Sequence, residues 1–461
     1  MMVSVKDESK SNDDLPTTAS SIPAYIVSDN LNPNKYISRG RSPLPRISTE
    51  LLKKLEKGVD VLKAKVGDEH IDVAVAVDAV ARAYSDNKDY DSALHHYNDA
   101  LALKEKILPP QHPSIADTVR SIGNVLQKMG AIQESEESYK TARLIYRHAF
   151  DDQSWVPTDK EESKHQTLYD LHHMISQNSV NIGNLYYDRE EHERALIFYE
   201  ESLREAKMSA VDAVILSRHV ENSEISHVKE TRLFVCDIMN NIANVYAQMG
   251  HKQKAIKQYN EALNLQMKEV GEDHLSVCST LHNMGTLHYH TGEYQLAIKC
   301  YKQVLKMRRF LLGSEHISIA DTLINVAIVH DKANELDRAE SALQAALRVL
   351  INSFDKNDFR VAFVEDCLGA LNARNGFDLD ALACFSRALD IYKQSSFDDD
   401  HPLVVSTKKS MEYVRNKEKN KNDCVKNSVE VDMQATDLMS VFLTCGGLCF
   451  SNNKSVAPLL V

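Results

Sequence analysis

Tyrosine recurs at Tyr97, Tyr139, Tyr199, Tyr259 and Tyr301, each preceded four residues earlier by Ala93, Ser135, Ala195, Ala255 or Ala297 and followed three residues later by Ala100, Ala142, Ser202, Ala262 or Val304. The steps between these tyrosines are 42, 60, 60 and 42 residues, and the frame continues at Leu343 and Phe385 with the same 42-residue step. A chain with this period is an array of repeats. Each unit packs on its neighbours and the whole presents a surface, so binding is the first functional question and catalysis the second.

A second set of marks lies upstream in every unit. Ala81, Gly123, Gly183, Ala243, Gly285, Ala327 and Gly369 are in register, each preceded by a large aliphatic residue: Val80, Ile122, Ile182, Ile242, Met284, Val326 or Leu368. Apolar residues recur at helical spacing on both sides of a break near Gly130, Gly250, Gly292 and Gly376, so each unit reads as helix, tight turn and helix. Small residues at fixed places let the paired backbones approach closely while the tyrosine fills the gap beside them. The fold class is therefore all-α, a superhelical solenoid of about seven helical hairpins with termini that read as disordered.

These residues resemble tetratricopeptide repeats, in the 42-residue form found in kinesin light chains. LHNMGTLHYHTGEYQLAIKCYKQVLKMRRFLLGSEHISIA (281–320) and IMNNIANVYAQMGHKQKAIKQYNEALNLQMKEVGEDHLSV (238–277) carry the resemblance most fully, and it extends over roughly residues 50–415. It implies a protein-binding solenoid whose first helices line a concave groove.

Composition narrows the function classes. No GxxxxGK[ST], HExxH, GxSxG or CxxC pattern is present, which leaves nucleotide hydrolysis, zinc proteolysis and serine hydrolysis without support. A net charge of −12 argues against general nucleic-acid binding, which needs a basic stripe. Nothing calls for a cofactor or a metal. His282, His288 and His290 crowd one helix, but spacings of six and two do not bring all three to one face. His70, His112, His274, His316 and His401 follow acidic or amide residues before a helix start and read as structural loop residues, placed where acids favour the helix N-terminus.

Residues 1–46 are polar and read as disordered, with Ser42 before Pro43 in RGRSPLPR (39–46) either a phosphorylation site or part of a plain basic linker. Residues 47–70 hold an amphipathic capping helix, the solenoid runs over 71–415, and 416–461 form a charged linker and short apolar tail. The two 60-residue steps carry 18-residue insertions near 151–173 and 208–232. They should lengthen the second helices of units two and three and the first helices of units three and four, with Trp155 either packed inside or presented for contact. The start of the chain lacks an apolar leader, and cysteines such as Cys236, Cys278, Cys300, Cys367 and Cys384 sit among apolar neighbours. The expected setting is reducing and cytoplasmic. The stretch 437–450 (DLMSVFLTCGGLCF), with Cys445 and Cys449, is too short to span a bilayer and reads as an acylated anchor, a docking peptide or a collapsed cover for the array.

On the resemblance, the groove is lined by Arg120, Asn124 and Lys128, then Asn184, Tyr187 and Asp188, then Asn240, Asn244 and Gln248, then His282, Thr286, Tyr289 and His290. The asparagines offer both donor and acceptor to an extended peptide backbone. A second row, Asn181, Asn241, Asn283 and Asn325, lies one turn away and is suited to bracing the helices. A carboxylate clamp would use Arg120, Asn124 and Asn181, but Asp237 would then repel the carboxylate. Motor binding of the kinesin light chain kind needs a heptad coiled coil ahead of the repeats, and 1–46 show none. The reading is a non-enzymatic scaffold or adaptor that holds a segment of a protein partner in this groove. The alternatives are an adaptor recruited to membrane through an acylated tail, and an enzyme or regulatory subunit without a recognisable motif.

Overall fold

A computed structural model describes residues 49–152, 161–217, 225–353, 356–395 and 397–423. The described residues form helices joined by turns. Helix α1 (Thr49–Val66) caps the first of seven hairpins, α2 (Ile71–Asp86) with α3 (Tyr90–Ile107). The next are α4 (Pro113–Met129) with α5 (Ile132–Asp151), α6 (Glu161–Asp188) with α7 (His192–Leu216), and α8 (Ile225–Gln248) with α9 (Lys252–Val270). Then come α10 (Leu275–His290) with α11 (Tyr294–Leu312), α12 (Ile317–Lys332) with α13 (Leu336–Ser353), and α14 (Phe359–Arg374) with α15 (Asp378–Gln394), before the closing helix α16 (Pro402–Asp423). Each helix packs chiefly on its sequence neighbours, with first helices also touching in pairs such as α4 with α6 and α8 with α10. That is the contact pattern of a solenoid.

The repeated small residue is explained by the repeated ring. A Cβ at Gly183 would stand 2.7 Å from the Tyr199 ring, one at Gly123 2.8 Å from Tyr139, and one at Gly369 2.7 Å from Phe385. These rings are buried between the two helices of their own hairpin and anchor the core. The turn that follows the first helix needs a left-handed residue. It is glycine in four units, and Lys88, Glu190 and Asn334 adopt the same positive φ in the other three.

Helix starts and inter-unit joints recur too. His70, His112, His274 and His316 do more than occupy the loop: each is the N-cap, its Nδ1 accepting from the backbone N–H two residues on at 3.1–3.2 Å. His401 accepts likewise from Leu403 at 3.3 Å, and Asp358 takes the same role before α14. An acceptor nitrogen must be unprotonated, and burial lowers the pKa of His112, His274, His316 and His401, which keeps it so. Between units, the Lys104 ammonium and the Arg308 guanidinium donate to Thr118 and Thr322 of the next first helix at 2.8 and 2.6 Å. Thr280 donates to Gln266 at the corresponding joint, at 2.8 Å.

The insertions lengthen α6, α7 and α8 to 28, 25 and 24 residues, whereas α5 stops at 20. The extra turns of α6 and α7 lie against each other, tied by His172 to Glu205 at 2.7 Å and His165 to Asp212 at 3.1 Å. The anticipated lengthening is thus carried by three helices instead of four. Residues 39–46 with Ser42, Trp155, and the tail with Cys445 and Cys449 lie outside the described residues.

Candidate groove on the first helices

On a helix with 100° per residue, the positions six before, one after and five after the small residue fall within about 40° of one another. In the second to fourth units these are Asp117, Asn124 and Lys128, then Gln177, Asn184 and Asp188, then Asp237, Asn244 and Gln248. All nine keep solvent contact, Gln248 the most, while the rest of each helix is largely buried. The stripe runs on through Ser279, Thr286 and the exposed His290, then closes in part: Asp321 and Ile328 of α12 and Phe363 of α14 are buried, while Lys332 and Arg374 at the third position still reach solvent. The continuous polar stripe therefore lies on α4, α6, α8 and α10; on α2 the same positions are exposed too, but Val75 breaks the polar run.

Several expected groove residues are buried or already partnered. Asn240, His282 and Tyr289 are each 7% exposed and belong to the interior, because their register turns them toward the neighbouring unit. The Asn240 amide donates to Thr280 at 2.9 Å, the His282 ring meets the Tyr301 ring at 5.3 Å and pairs with Asn325 at 3.2 Å, and Tyr289 packs beside Tyr294. Arg120 is occupied by Tyr146, Gln177 and Asp117 at 3.3–3.4 Å, so its charge is already matched. The Lys128 ammonium reaches Ser85 at 3.3 Å and lies 5.7 Å from the Tyr90 ring centre, and burial lowers its pKa. Tyr187 is part-buried beside His192. His288 pairs with Glu293 at 2.7 Å, and among the described residues no group of three or more His, Cys, Asp or Glu could hold a metal.

The first asparagine row is not free on both atoms. Tyr139, Tyr199 and Tyr259 donate their hydroxyls to the Oδ1 of Asn124, Asn184 and Asn244, fifteen residues upstream, at 2.8, 2.7 and 2.5 Å. Thr286 and Tyr301 repeat the pair at 2.9 Å. The row therefore orients the buried rings, and what Asn184 and Asn244 still offer a ligand is the Nδ2 side of each amide. Among the second row, the Asn181 amide donates to Asn124 at 3.0 Å, as a brace.

A consequence is measurable. Asn184→Ala should cost about 1 to 3 kcal/mol, because the buried Tyr199 hydroxyl loses its acceptor. Adding Tyr199→Phe removes the orphaned donor and should recover most of that loss in chemical denaturation. Equal losses in the single and double variants would show that the hydroxyl does not depend on Asn184.

Asp237, by contrast, has no hydrogen bond or ion pair among the described residues. Its flanking protein atoms push the carboxyl up to about 7 although it keeps a path to solvent. In the sequence Asp237 stands out only as an obstacle to a carboxylate ligand.

Among the described residues no helix is long and apolar enough to cross a membrane. Residues 73–114 match one tetratricopeptide repeat model, and 234–309 and 276–352 match another. No curated protein matches the sequence. Similar solved structures include BtubC (BKLC) from P. vanneervenii, with 16% identity, 66% of this chain and 99% of that chain covered and a TM-score of 0.44. A tetratricopeptide repeat protein from Parabacteroides merdae has 14% identity over 74% of this chain and 99% of its own, with a TM-score of 0.42. The nearly identical repeats of a protein from Podosopora anserina assigned as a kinesin light chain have 17% identity over 53% and 98%, with a TM-score of 0.37.

Proposed function

The chain is a tetratricopeptide repeat protein, and we propose that it is a non-enzymatic, cytoplasmic adaptor that holds an extended segment of a partner protein along the first helices of its second to fifth units. Repeat arrays of this kind serve as protein-interaction scaffolds. The observation that supports this groove is the continuous stripe of part-exposed polar side chains from Asp117 to His290, interrupted by no large apolar residue. Asn184 and Asn244 present amide N–H groups to passing backbone carbonyls, which lets the groove read an extended chain whatever its side chains. The five described cysteines are free thiols, four of them buried, which suits a reducing setting.

Gln248 is exposed in the middle of the stripe, so Gln248→Trp should obstruct the groove without disturbing the core. Purified full-length chain carrying this change should lose at least tenfold in affinity for whichever protein the parent chain captures, while Lys393→Trp on the exposed side of α15 should retain it. Equal affinity of the two variants would place the binding surface outside the groove. A chain ending at Lys417 partitioned against the full chain in detergent tests the membrane-recruited alternative, which rests on the segment 437–450.

A further inference from the structure

The charges of the groove do not cancel along its whole length. At its N-terminal end Asp117 accepts from Tyr146 at 2.6 Å and lies beside Arg120, so this acid is matched within the chain. In α6 the equivalent position is Gln177, held by Arg120 and His173. In α8 it is Asp237, which no described cation or donor meets; Arg232 of the same helix is taken by Glu269 at 2.8 Å. One turn along the same helix, Asn240 is 7% exposed and its Oδ1 has no donor. Residues three apart on a helix hold their Cβ atoms about 5–6 Å apart. The carboxyl and the amide are thus one turn apart on α8, and neither oxygen has the donor that its enclosure calls for.

The ligand that answers this arrangement is a donor-rich cation. A free carboxylate or an acidic segment would bring a second anion against Asp237. An apolar side chain would leave both oxygens unmatched. A guanidinium or ammonium group supplies N–H donors and the opposite charge together. The net charge of −12 draws such a segment toward the chain from any direction, and Asp237 offers it a carboxylate that keeps a path to solvent and is unmatched among the described residues.

We propose that the groove takes a cationic segment of its partner, with an arginine or lysine side chain seated on the Asp237 carboxylate and the adjoining backbone held by the amides of Asn184 and Asn244. This rests on the groove reading above and adds the chemistry of the occupant.

The test uses the full-length chain and two fluorescein-labelled peptides, one of alternating glycine and arginine and one of alternating glycine and glutamate. Binding is read by fluorescence anisotropy at about 0.15 M salt, where unspecific surface attraction is screened beyond ~8 Å. The arginine peptide should bind and the glutamate peptide should not. Asp237→Asn should weaken the arginine peptide by tenfold or more. Asp390→Asn, which removes the same charge from the exposed side of α15, should change it by less than twofold. Equal losses in both variants, no loss in Asp237→Asn, or preference for the glutamate peptide would each overturn the proposal. The two readings separate cleanly. If Gln248→Trp abolishes capture of the partner while Asp237→Asn leaves both capture and peptide affinity unchanged, the groove stands and its cationic occupant falls. If Gln248→Trp has no effect on capture, the groove reading falls and carries this one with it.

Discussion

Gly183→Leu should destabilise the chain by about 3 kcal/mol. The added Cβ would start 2.7 and 2.8 Å from two carbons of the Tyr199 ring, which is itself only 2% exposed, and three further carbons would have to follow it. The ring cannot swing away without breaking its bond to Asn184. Gly183→Ala should cost much less, because Ala81, Ala243 and Ala327 occupy the same register in other units and show that a small shift can admit one methyl group. Contacts run mainly between neighbours, so the damage should be local first: amide exchange in α6 and α7 should accelerate more than in α14 and α15. A Gly183→Leu chain with the parent's denaturation midpoint and exchange pattern would mean that the paired helices are not packed as described.

The hairpins were legible in the sequence because two periodicities coincide. The helical spacing of apolar residues marks each helix, and the spacing from small residue to ring, Gly183 to Tyr199 or Gly285 to Tyr301, locks the two helices of a hairpin together. The groove was less legible. Helical register alone puts Asn240 and Asn244 on nearby faces, but only packing decides that the first is buried against Thr280 while the second reaches solvent. The tie between the asparagine row and the tyrosines did leave a trace. Where the residue at the tyrosine position is Leu343 or Phe385 and has no hydroxyl, the position fifteen residues upstream is Ile328 or Ala370; it is Arg82 before Tyr97 and asparagine or threonine before the other four tyrosines. Closure of the stripe at Ile328 and Phe363 shows as apolar residues at positions that are polar in the second to fifth units, whereas the burial of Asp321 left no such trace. The histidine caps were visible as a recurring residue, but the imidazole's role as acceptor was not.

Asp321 shows what that closure costs. It stands on α12 in the register of Asp237 but is 6% exposed, and its Oδ1 has no donor. Burial pushes its carboxyl up to about 7, against the pull of Arg308 and Arg360. With the folded pKa above the unfolded one, the folded state keeps a proton that the unfolded chain has already released. This contribution to stability is full below about pH 4, declines as pH rises, and is gone above about pH 7. His282 pulls the other way: burial lowers it to about 3, so its contribution is full above about pH 6.5 and is lost on acidification. Comparing the parent with Asp321→Asn at each pH cancels the histidine contribution and isolates the carboxyl. The stability of the parent relative to the variant should fall by on the order of 3 kcal/mol between about pH 4 and pH 8, leaving the variant the more stable at the alkaline end. A difference that stays flat across that range would mean that Asp321 is ionised in the folded chain with its charge met, and the closed end of the groove would then be a place where charge is tolerated.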